Sequence, residues 1–242
     1  MTYQEAYQKA TGELKAAGIP EPESDAWILL EHVTGMTRTR YYVDGFERMP
    51  KNEEDRFFEL VSCRKTRIPV QHLTGVQEFM GYEFAVNEHV LVPRQDTEIL
   101  VEEAEKRLLL MKKENPVKVL DMCTGSGCIL LSVALERKLS KGIGVDISGK
   151  ALAVAKANQE ALAPENVTLI QSDLFENAGK YLMEQSVDIV VSNPPYICTE
   201  VIDSLSEEVR LHDPVLALDG HEDGLYFYRK ITKQAKSFLK PG

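Results

Sequence analysis

The apolar positions in residues 1–72 recur at helical spacing, broken by residues that end helices. Thr2 and Glu5 have the spacing of a capping box ahead of the first helix. A second helix is predicted to end at Gly35, and a third to start from a cap at Asn52. The pattern therefore predicts a small helical domain.

Over residues 73–92 the pattern changes to short runs of β-prone residues. The runs are LTGVQEF, GYEFAV and HVLVP, with Gly81 between the first two. This arrangement predicts a β-hairpin that links the helical domain to the rest of the chain. Asp96 is the predicted cap of a long helix that follows.

From residue 93 onward, apolar runs alternate with helical stretches, as expected for strands that cross back to one sheet. Continuous apolar strands separated by helices favour a mostly parallel sheet covered by helices on both faces. This α/β domain is predicted to occupy residues 93–242. The predicted strands are 117–122, 142–147, 167–172 and 187–192.

The charge balance bears on the class of partner. The chain has 28 Lys and Arg against 38 Asp and Glu, a net charge of −10, which disfavours direct binding of duplex nucleic acid through its phosphates. No apolar stretch of membrane-spanning length occurs, and MTYQEAYQKATGE lacks the features of a secretory signal. We expect a cytoplasmic protein without a membrane partner.

The cysteines argue against metal chemistry. No two of them have zinc-ligand spacing, so we expect free thiols and no metal site. They are Cys63, Cys123, Cys128 and Cys198.

A glycine turn, DMCTGSG at residues 121–127, lies between the first sheet strand and the next helix. Glycines there let the backbone approach a ligand, and the helix N-terminus offers unpaired N–H groups. A dinucleotide fingerprint in this frame needs glycines where Cys123 and Cys128 stand, which weakens a pyrophosphate interpretation. A tight strand-to-helix connection without a ligand is the alternative.

Acidic residues follow the next two strands. Asp146 can accept hydrogen bonds from ribose hydroxyls, or it can cap the following helix. Asp173 and Leu174 can hold the amine and the face of an adenine. All of these positions fall at carboxyl ends of strands, where open α/β sheets bind ligands.

The sequence SNPPY, residues 192–196, follows the fourth strand. Its prolines fix φ and remove two donors, so the carbonyls of Asn193 and Pro194 are acceptors with fixed directions. With the Asn193 side-chain oxygen they suit a planar NH2 group, against which Tyr196 can pack. A rigid turn at the strand exit is the alternative interpretation.

Together the glycine turn, Asp146 and Asn193–Tyr196 resemble class I S-adenosylmethionine-dependent methyltransferases that modify planar nitrogens. VPRQDTE at 92–98 resembles the PRxxTE segment of the protein-(glutamine-N5) methyltransferases. Similar matches to that family are RIPVQHLTG at 67–75 and the stretch from Glu208 to Leu225.

This resemblance implies a class I methyltransferase fold that uses S-adenosylmethionine and releases S-adenosylhomocysteine. It implies methylation of the glutamine side-chain nitrogen in the Gly-Gly-Gln motif of a class 1 peptide chain release factor, by a monomer whose helical domain recognises the substrate. The implied catalytic residues are Asn193, Pro194, Pro195 and Tyr196. The implied cofactor-binding residues are Cys123, Thr124, Gly125, Ser126, Gly127, Asp146, Asp173, Leu174 and Asn193.

Other functions share parts of this pattern. A glutamine methyltransferase of a ribosomal protein would carry the same motifs, and an enzyme acting on adenine amines would share Asn193–Tyr196. A non-catalytic cofactor-binding subunit is a third alternative, disfavoured by the intact Asn-Pro-Pro-Tyr.

Two further expectations concern details of the chain. Arg94 and Glu98 are expected to pair with each other at the start of their helix; a catalytic role is the less favoured alternative. The resemblance also implies further strands after a turn at Lys240–Gly242, so we expect that the sequence stops inside its catalytic domain, with C-terminal strands missing.

Overall fold

The computed structural model describes residues 1–111, 117–137 and 139–241, which form two compact units. The first unit contains Met1–Gly75 together with Ser206–His212. The second contains Val76–Leu205 and the chain from Asp213 onward. Over the described ranges, no helix is both long and apolar enough to cross a membrane.

The first unit is helical, as the apolar periodicity predicts. A buried cluster that includes Leu14, Trp27, Leu30 and Phe57 joins its main helices. Its helices are α1 (Tyr3–Ala16), α2 (Pro22–Thr34), α3 (Arg38–Asp44), α4 (Lys51–Lys65), α5 (Val70–Thr74) and, from the distant segment, α9 (Glu207–His212).

The predicted helix ends in this unit have different outcomes. The capping box of Thr2 and Glu5 is confirmed, and so is the end of α2 at Gly35, which adopts a left-handed conformation with φ 63°. The cap at Asn52 is wrong, because α4 begins at Lys51 with Pro50 at its N-cap. The φ of Pro50 is fixed near helical values, so the chain enters the helix two residues earlier than an asparagine cap would set.

The predicted hairpin is confirmed. Strands β1 (Val76–Phe79) and β2 (Tyr82–Ala85) pair antiparallel, and Gly81 has φ 75° in the turn between them. The third run, HVLVP, forms no strand in the described structure. Its Val90 packs in a small cluster with residues of the later helix Gly149–Leu162, so packing rather than strand pairing buries this part of the run.

The described residues of the second unit contain a four-stranded parallel sheet in the order β5-β4-β3-β6. All four predicted strands are confirmed; β3 has the predicted bounds, and the other three have shifted ends. They are β3 (Val117–Met122), β4 (Leu139–Asp146), β5 (Val167–Gln171) and β6 (Ile189–Ser192).

Helices cover both faces of this sheet, as predicted. Val119 of β3 belongs to one buried cluster with residues of α6 and α7, while Leu120 belongs to another with Ile231 of α11. Successive strand residues point to opposite faces, so both sides of β3 are buried. The helices of this unit are α6 (Glu98–Leu110), α7 (Cys128–Glu136), α8 (Gly149–Leu162), α10 (Val215–Leu218) and α11 (Tyr226–Phe238).

The cap predicted at Asp96 is wrong. A short 3-10 turn, Gln95–Thr97, precedes α6, and Asp96 lies exposed inside it. Thr97 is the residue before the helix, and its side chain makes no capping hydrogen bond. The tighter turn delays the start of the helix and leaves the Thr97 hydroxyl for other contacts.

Next to β6, Val187 forms an isolated parallel bridge with Leu239, and Lys240 Nζ lies 2.8 Å from Asp188 Oδ1. The turn predicted at Lys240–Gly242 includes Gly242, which lies outside the described residues.

Candidate active site

A cavity of about 280 Å³ lies at the carboxyl ends of the four parallel strands. All of its lining residues belong to the second unit. The loops after β3, β4, β5 and β6 each contribute residues that the sequence singles out. These lining residues are Cys123, Thr124, Gly125, Ser126, Asp146, Asp173, Leu174, Asn193 and Pro195.

The side chain of Asp121 holds the glycine turn through a hydrogen bond from Thr124. This carboxyl is fully buried and accepts a 2.6 Å hydrogen bond from Thr124 Oγ1. Burial raises the pKa of Asp121 to about 7; the hydrogen bond from Thr124 opposes the rise, and the nearby Asp146 adds to it. Asp121 is therefore an acid that changes charge near neutral pH.

Cysteines stand on both sides of this turn. Cys123 has φ 59°, a left-handed conformation that favours glycine. Burial raises the pKa of the Cys123 and Cys128 thiols to about 12, so both stay protonated at neutral pH. Neither is a nucleophile in this setting.

Asp146 ends β4 and holds the glycine turn by its carboxylate. Gly125 N–H donates to Oδ2 and Ser148 N–H donates to Oδ1, each at 2.9 Å. Burial raises the pKa of Asp146 although these donors oppose it. The cap of α8 is Ser148, whose hydroxyl accepts from Ala151 N–H. Each carboxylate oxygen of Asp146 retains a further lone pair for a ligand on the cavity side.

The loop after β5 lines the cavity together with aromatic residues of α11, which the sequence pattern did not single out. Leu174 is buried with φ 44°. Tyr226 and Phe227 line the same cavity, and the His221 ring lies 4.2 Å from the Tyr226 ring. Lys230 Nζ lies 4.5 Å above the Tyr226 ring. No local signal ties this helix start to a glycine turn about a hundred residues earlier.

In the Asn-Pro-Pro-Tyr segment, Pro194 and Pro195 are buried, and Asn193 lines the cavity. Asn193 Nδ2 donates a 3.4 Å hydrogen bond to Thr97 Oγ1. Among the described residues, no hydrogen bond to the Pro194 carbonyl oxygen occurs. Tyr196 is 56% exposed and lies outside the cavity lining.

The exit of this segment is held by a later loop. Ile197 N–H donates to Leu218 O at 2.9 Å, and Gly220 N–H donates to Ile197 O at 2.7 Å. A Cβ added at Gly220 would lie 2.6 Å from Tyr196 Cα, so only glycine fits here. The direction of the segment therefore depends on residues more than 20 positions away.

Two other residues predicted for the site, Gly127 and Pro194, are not among those that line the cavity. Gly127 is the N-cap of α7 with φ 81°, and a Cβ there would lie 3.1 Å from Leu131 Cδ1. Its glycine is needed for the conformation and the packing of the turn. Pro194 is buried, and the role of its carbonyl in the site stays a prediction.

The expected pairing of Arg94 with Glu98 is wrong. Arg94 Nη2 lies 2.9 Å from Oδ2 of the fully buried Asp213 side chain. Glu98 Oε1 instead accepts from Met80 N–H of the hairpin turn at 2.7 Å. The 3-10 turn separates the two side chains, so each anchors a different neighbour. Within the part of the chain that the structure describes, no group of acidic, histidine or cysteine residues is arranged to hold a metal ion.

A parallel sheet with a glycine turn after β3, an acid at the end of β4 and Asn-Pro-Pro-Tyr after β6 defines a class I methyltransferase. A family model described as a methyltransferase domain matches residues 113–242, and one described as the PrmC N-terminal domain matches residues 5–75.

Relatives along the whole chain narrow this class. Release factor glutamine methyltransferase of Caulobacter vibrioides is 40% identical, with the match covering 100% of this chain and 82% of that protein. The proteins of the same name from Clostridium acetobutylicum and Bacillus subtilis are each 39% identical, covering 84% and 81% of those proteins and 100% and 98% of this chain. The chain belongs to the release factor glutamine methyltransferase family.

Proposed function

We propose that this protein transfers a methyl group from S-adenosylmethionine to the side-chain amide nitrogen of the glutamine in the Gly-Gly-Gln motif of a class 1 peptide chain release factor. The observation that carries the proposal is that Asn193 lines the same cavity as the glycine turn, Asp146 and Leu174. An amide-holding group and a nucleoside-binding surface thus share one cavity.

The residues of the cavity suit this cofactor. When bound, S-adenosylmethionine supplies a methyl group activated on a cationic sulfur. The carboxylates of Asp146 and Asp173 provide acceptors for ribose hydroxyls and the adenine amine, and both make the cavity more negative. A Cβ built on Gly125 meets no atom within 4 Å, so the turn leaves room for a ligand next to its backbone. Leu174, with Tyr226 and Phe227 opposite, offers apolar surface for a base.

Asn193 and Pro194 would hold the substrate. A glutamine amide nitrogen is a poor nucleophile because its lone pair is delocalised, so the protein gains rate chiefly by alignment. The Asn193 side-chain oxygen and the Pro194 carbonyl can accept the two amide protons. They would also stabilise positive charge that develops on the nitrogen. Transfer would form the nitrogen–methyl bond and break the bond between the methyl carbon and sulfur, which releases S-adenosylhomocysteine. The proton lost from the amide would leave to solvent.

The names of the relatives support the choice of a release factor over a ribosomal protein or an adenine base. We assign substrate recognition to residues 1–72, a role in keeping with the match to the PrmC N-terminal domain. Action as a cytoplasmic monomer, without direct contact to nucleic acid, remains a prediction.

Side-by-side labelling tests the proposal. The purified protein is incubated with methyl-labelled S-adenosylmethionine and, in separate reactions, a class 1 release factor, a release factor with Gly-Gly-Ala in place of Gly-Gly-Gln, ribosomal protein and DNA. We expect label only on the intact release factor. Label on DNA or on ribosomal protein, with none on the release factor, would overturn the proposal.

The role of Asn193 has its own prediction. Asn193→Ala is expected to lower kcat by about 1,000-fold or more, because it removes an acceptor that orients the reacting amide. Cofactor affinity, measured by calorimetry, is expected to fall only modestly. Asn52→Ala, on the surface of α4, is the control. Unchanged turnover in Asn193→Ala would show that the acceptor argument is wrong.

A further inference from the structure

We propose that Thr97 is a positioning residue for the reaction: its hydroxyl holds the NH2 end of the Asn193 side chain, so that the Asn193 oxygen faces the substrate amide. This inference rests on the proposed function. It adds to it a second residue, from a different part of the chain, that acts through Asn193.

The contact joins two distant segments at the cavity wall. Asn193 Nδ2 donates to Thr97 Oγ1 at 3.4 Å, and the two residues are 96 positions apart. Both residues line the cavity. Within the described structure this is the one hydrogen bond that the Asn193 side chain makes. The orientation of this side chain therefore depends on Thr97.

Orientation matters because an asparagine amide has nearly the same shape when its oxygen and nitrogen are exchanged. A substrate amide nitrogen brings two protons and needs acceptors. A rotated Asn193 would set its own NH2 against those protons, and two donors would face each other without a bond. In the structure the Thr97 hydroxyl oxygen accepts from the NH2 end of Asn193. Once the substrate occupies the oxygen, Thr97 supplies the acceptor for the opposite end.

Thr97 is well placed to give this support, because contacts on both sides fix its segment. Its own N–H donates to Arg94 O at 2.9 Å within the 3-10 turn. The Arg94 side chain is tied to Asp213 at 2.9 Å, and the next residue, Glu98, accepts from Met80 N–H at 2.7 Å. A hydroxyl held in this way can fix a partner side chain with little loss of entropy on substrate binding.

Thr97→Val tests the inference, because valine keeps the shape and branching of threonine and removes the hydroxyl. We expect kcat for release-factor methylation to fall by roughly 10-fold to 100-fold, the loss typical of small misplacement of a reacting group. Cofactor affinity and thermal midpoint are expected to stay close to the wild-type values. Thr97→Ser keeps the hydroxyl and is expected to recover most of the rate. Thr168→Val, in β5 and outside the cavity lining, is the matched control.

The outcomes separate this inference from the proposed function. If the wild-type protein methylates the release factor and Thr97→Val matches it, Thr97 does not position Asn193. A Thr97→Val variant that loses rate, cofactor affinity and thermal midpoint together, with no recovery by Thr97→Ser, would show a structural role and also overturn the inference. A wild-type protein that transfers no label to the release factor would overturn the proposed function, and with it this inference.

Discussion

Two groups of carboxyl side chains, one in the helical unit and one near the carboxyl ends of β3 and β4, differ in whether a buried cation lies beside them. In the helical unit, Asp25 and Glu208 both meet Arg64, at 2.7 and 3.2 Å, and the Arg64 side chain is only 6% exposed. Arg67 lies 3.2 Å from the same Glu208 oxygen. Burial acts to raise the pKa of Glu208, but a backbone hydrogen bond and the side-chain hydrogen bonds from Arg67 and Arg64 outweigh it. The pKa of Glu208 is therefore below its ordinary value.

The two acids near the carboxyl ends of β3 and β4 are held differently. Asp121 accepts from the Thr124 hydroxyl, and Asp146 accepts from the N–H groups of Gly125 and Ser148. These donors are all neutral. Over the described ranges, neither carboxyl forms an ion pair, and burial raises the pKa of both.

The difference indicates what each cluster is for. Burying a charge costs several kcal/mol unless a partner compensates it. In the cluster of Arg64, Asp25 and Glu208, the buried arginine compensates the charge of the carboxylates. These contacts join α2, α4 and α9 in one arrangement. Asp121 and Asp146 have no cationic partner among the described residues, and Asp146 lines the cavity, where its negative charge suits a ligand that brings positive charge. Burial of Asp25 raises its pKa even beside Arg64, so the helical cluster is itself sensitive to loss of its cation.

The largest expected effect comes from removing that cation. Arg64→Met should lower the free energy of unfolding by about 3 to 5 kcal/mol, because Asp25 and Glu208 would stay buried with less compensation. Urea unfolding followed by circular dichroism measures the change. Arg56→Met is the matched control, since Arg56 lies on the same helix in an exposed pair with Glu59 and should cost less than about 1 kcal/mol.

A double variant sharpens this test. Asp25→Asn combined with Arg64→Met should recover part of the lost stability, because one of the uncompensated charges is gone. Equal losses in Arg64→Met and Arg56→Met would mean that the buried cluster is no more important than a surface pair.

A smaller effect is expected at Asp146, on binding rather than folding. Asp146→Asn removes the charge and one of the two acceptors for Gly125 and Ser148. We expect the dissociation constant for S-adenosylmethionine to rise roughly 10-fold to 100-fold, the range for a lost hydrogen bond to a charged group. Calorimetry measures this dissociation constant, and Asp203→Asn, on an exposed turn, is the control. Affinity that did not change would argue against an uncompensated charge kept for the ligand.

Much of the fold was predictable because its signals are local. The Thr2 and Glu5 capping box, Gly81 in the hairpin and the apolar run of β3 each act within a few residues. Predictions failed where tertiary contacts decide between local alternatives. The HVLVP run has strand composition, yet its Val90 is buried by packing near α8, and that helix begins some 60 residues later.

The candidate site shows the same division. Residues at strand ends meet in one cavity because parallel strands align their carboxyl ends, so Thr124, Asp146 and Asn193 could be predicted together. Thr97 and Tyr226 reach the cavity from helix starts outside the strand loops, and no spacing in the sequence reports that contact. Their contribution depends on how α6 and α11 pack on the sheet.

The last expected effect is a pH dependence due to Asp121. Its folded pKa of about 7 is above the ordinary value of 3.8, so between those values the folded state binds a proton that the unfolded state has released. The stability from this group is therefore full below about pH 4 and falls as pH rises toward 7. Asp121→Asn keeps the acceptor for Thr124 and removes the ionisation. Its stability relative to wild type should therefore increase with pH, by at most roughly 1.4 kcal/mol per pH unit.

Chemical denaturation of both proteins at pH 5, 6, 7 and 8 measures that difference. Saturating S-adenosylmethionine supplies positive charge, and it should lower the pKa of Asp121 and flatten the difference. Arg64→Met provides the comparison, because the charge it leaves uncompensated belongs to the helical unit, which contributes no residue to the cavity lining. A wild-type protein whose stability follows that of Asp121→Asn across this pH range would show that Asp121 ionises without cost, and that the contrast between the two buried clusters is not electrostatic.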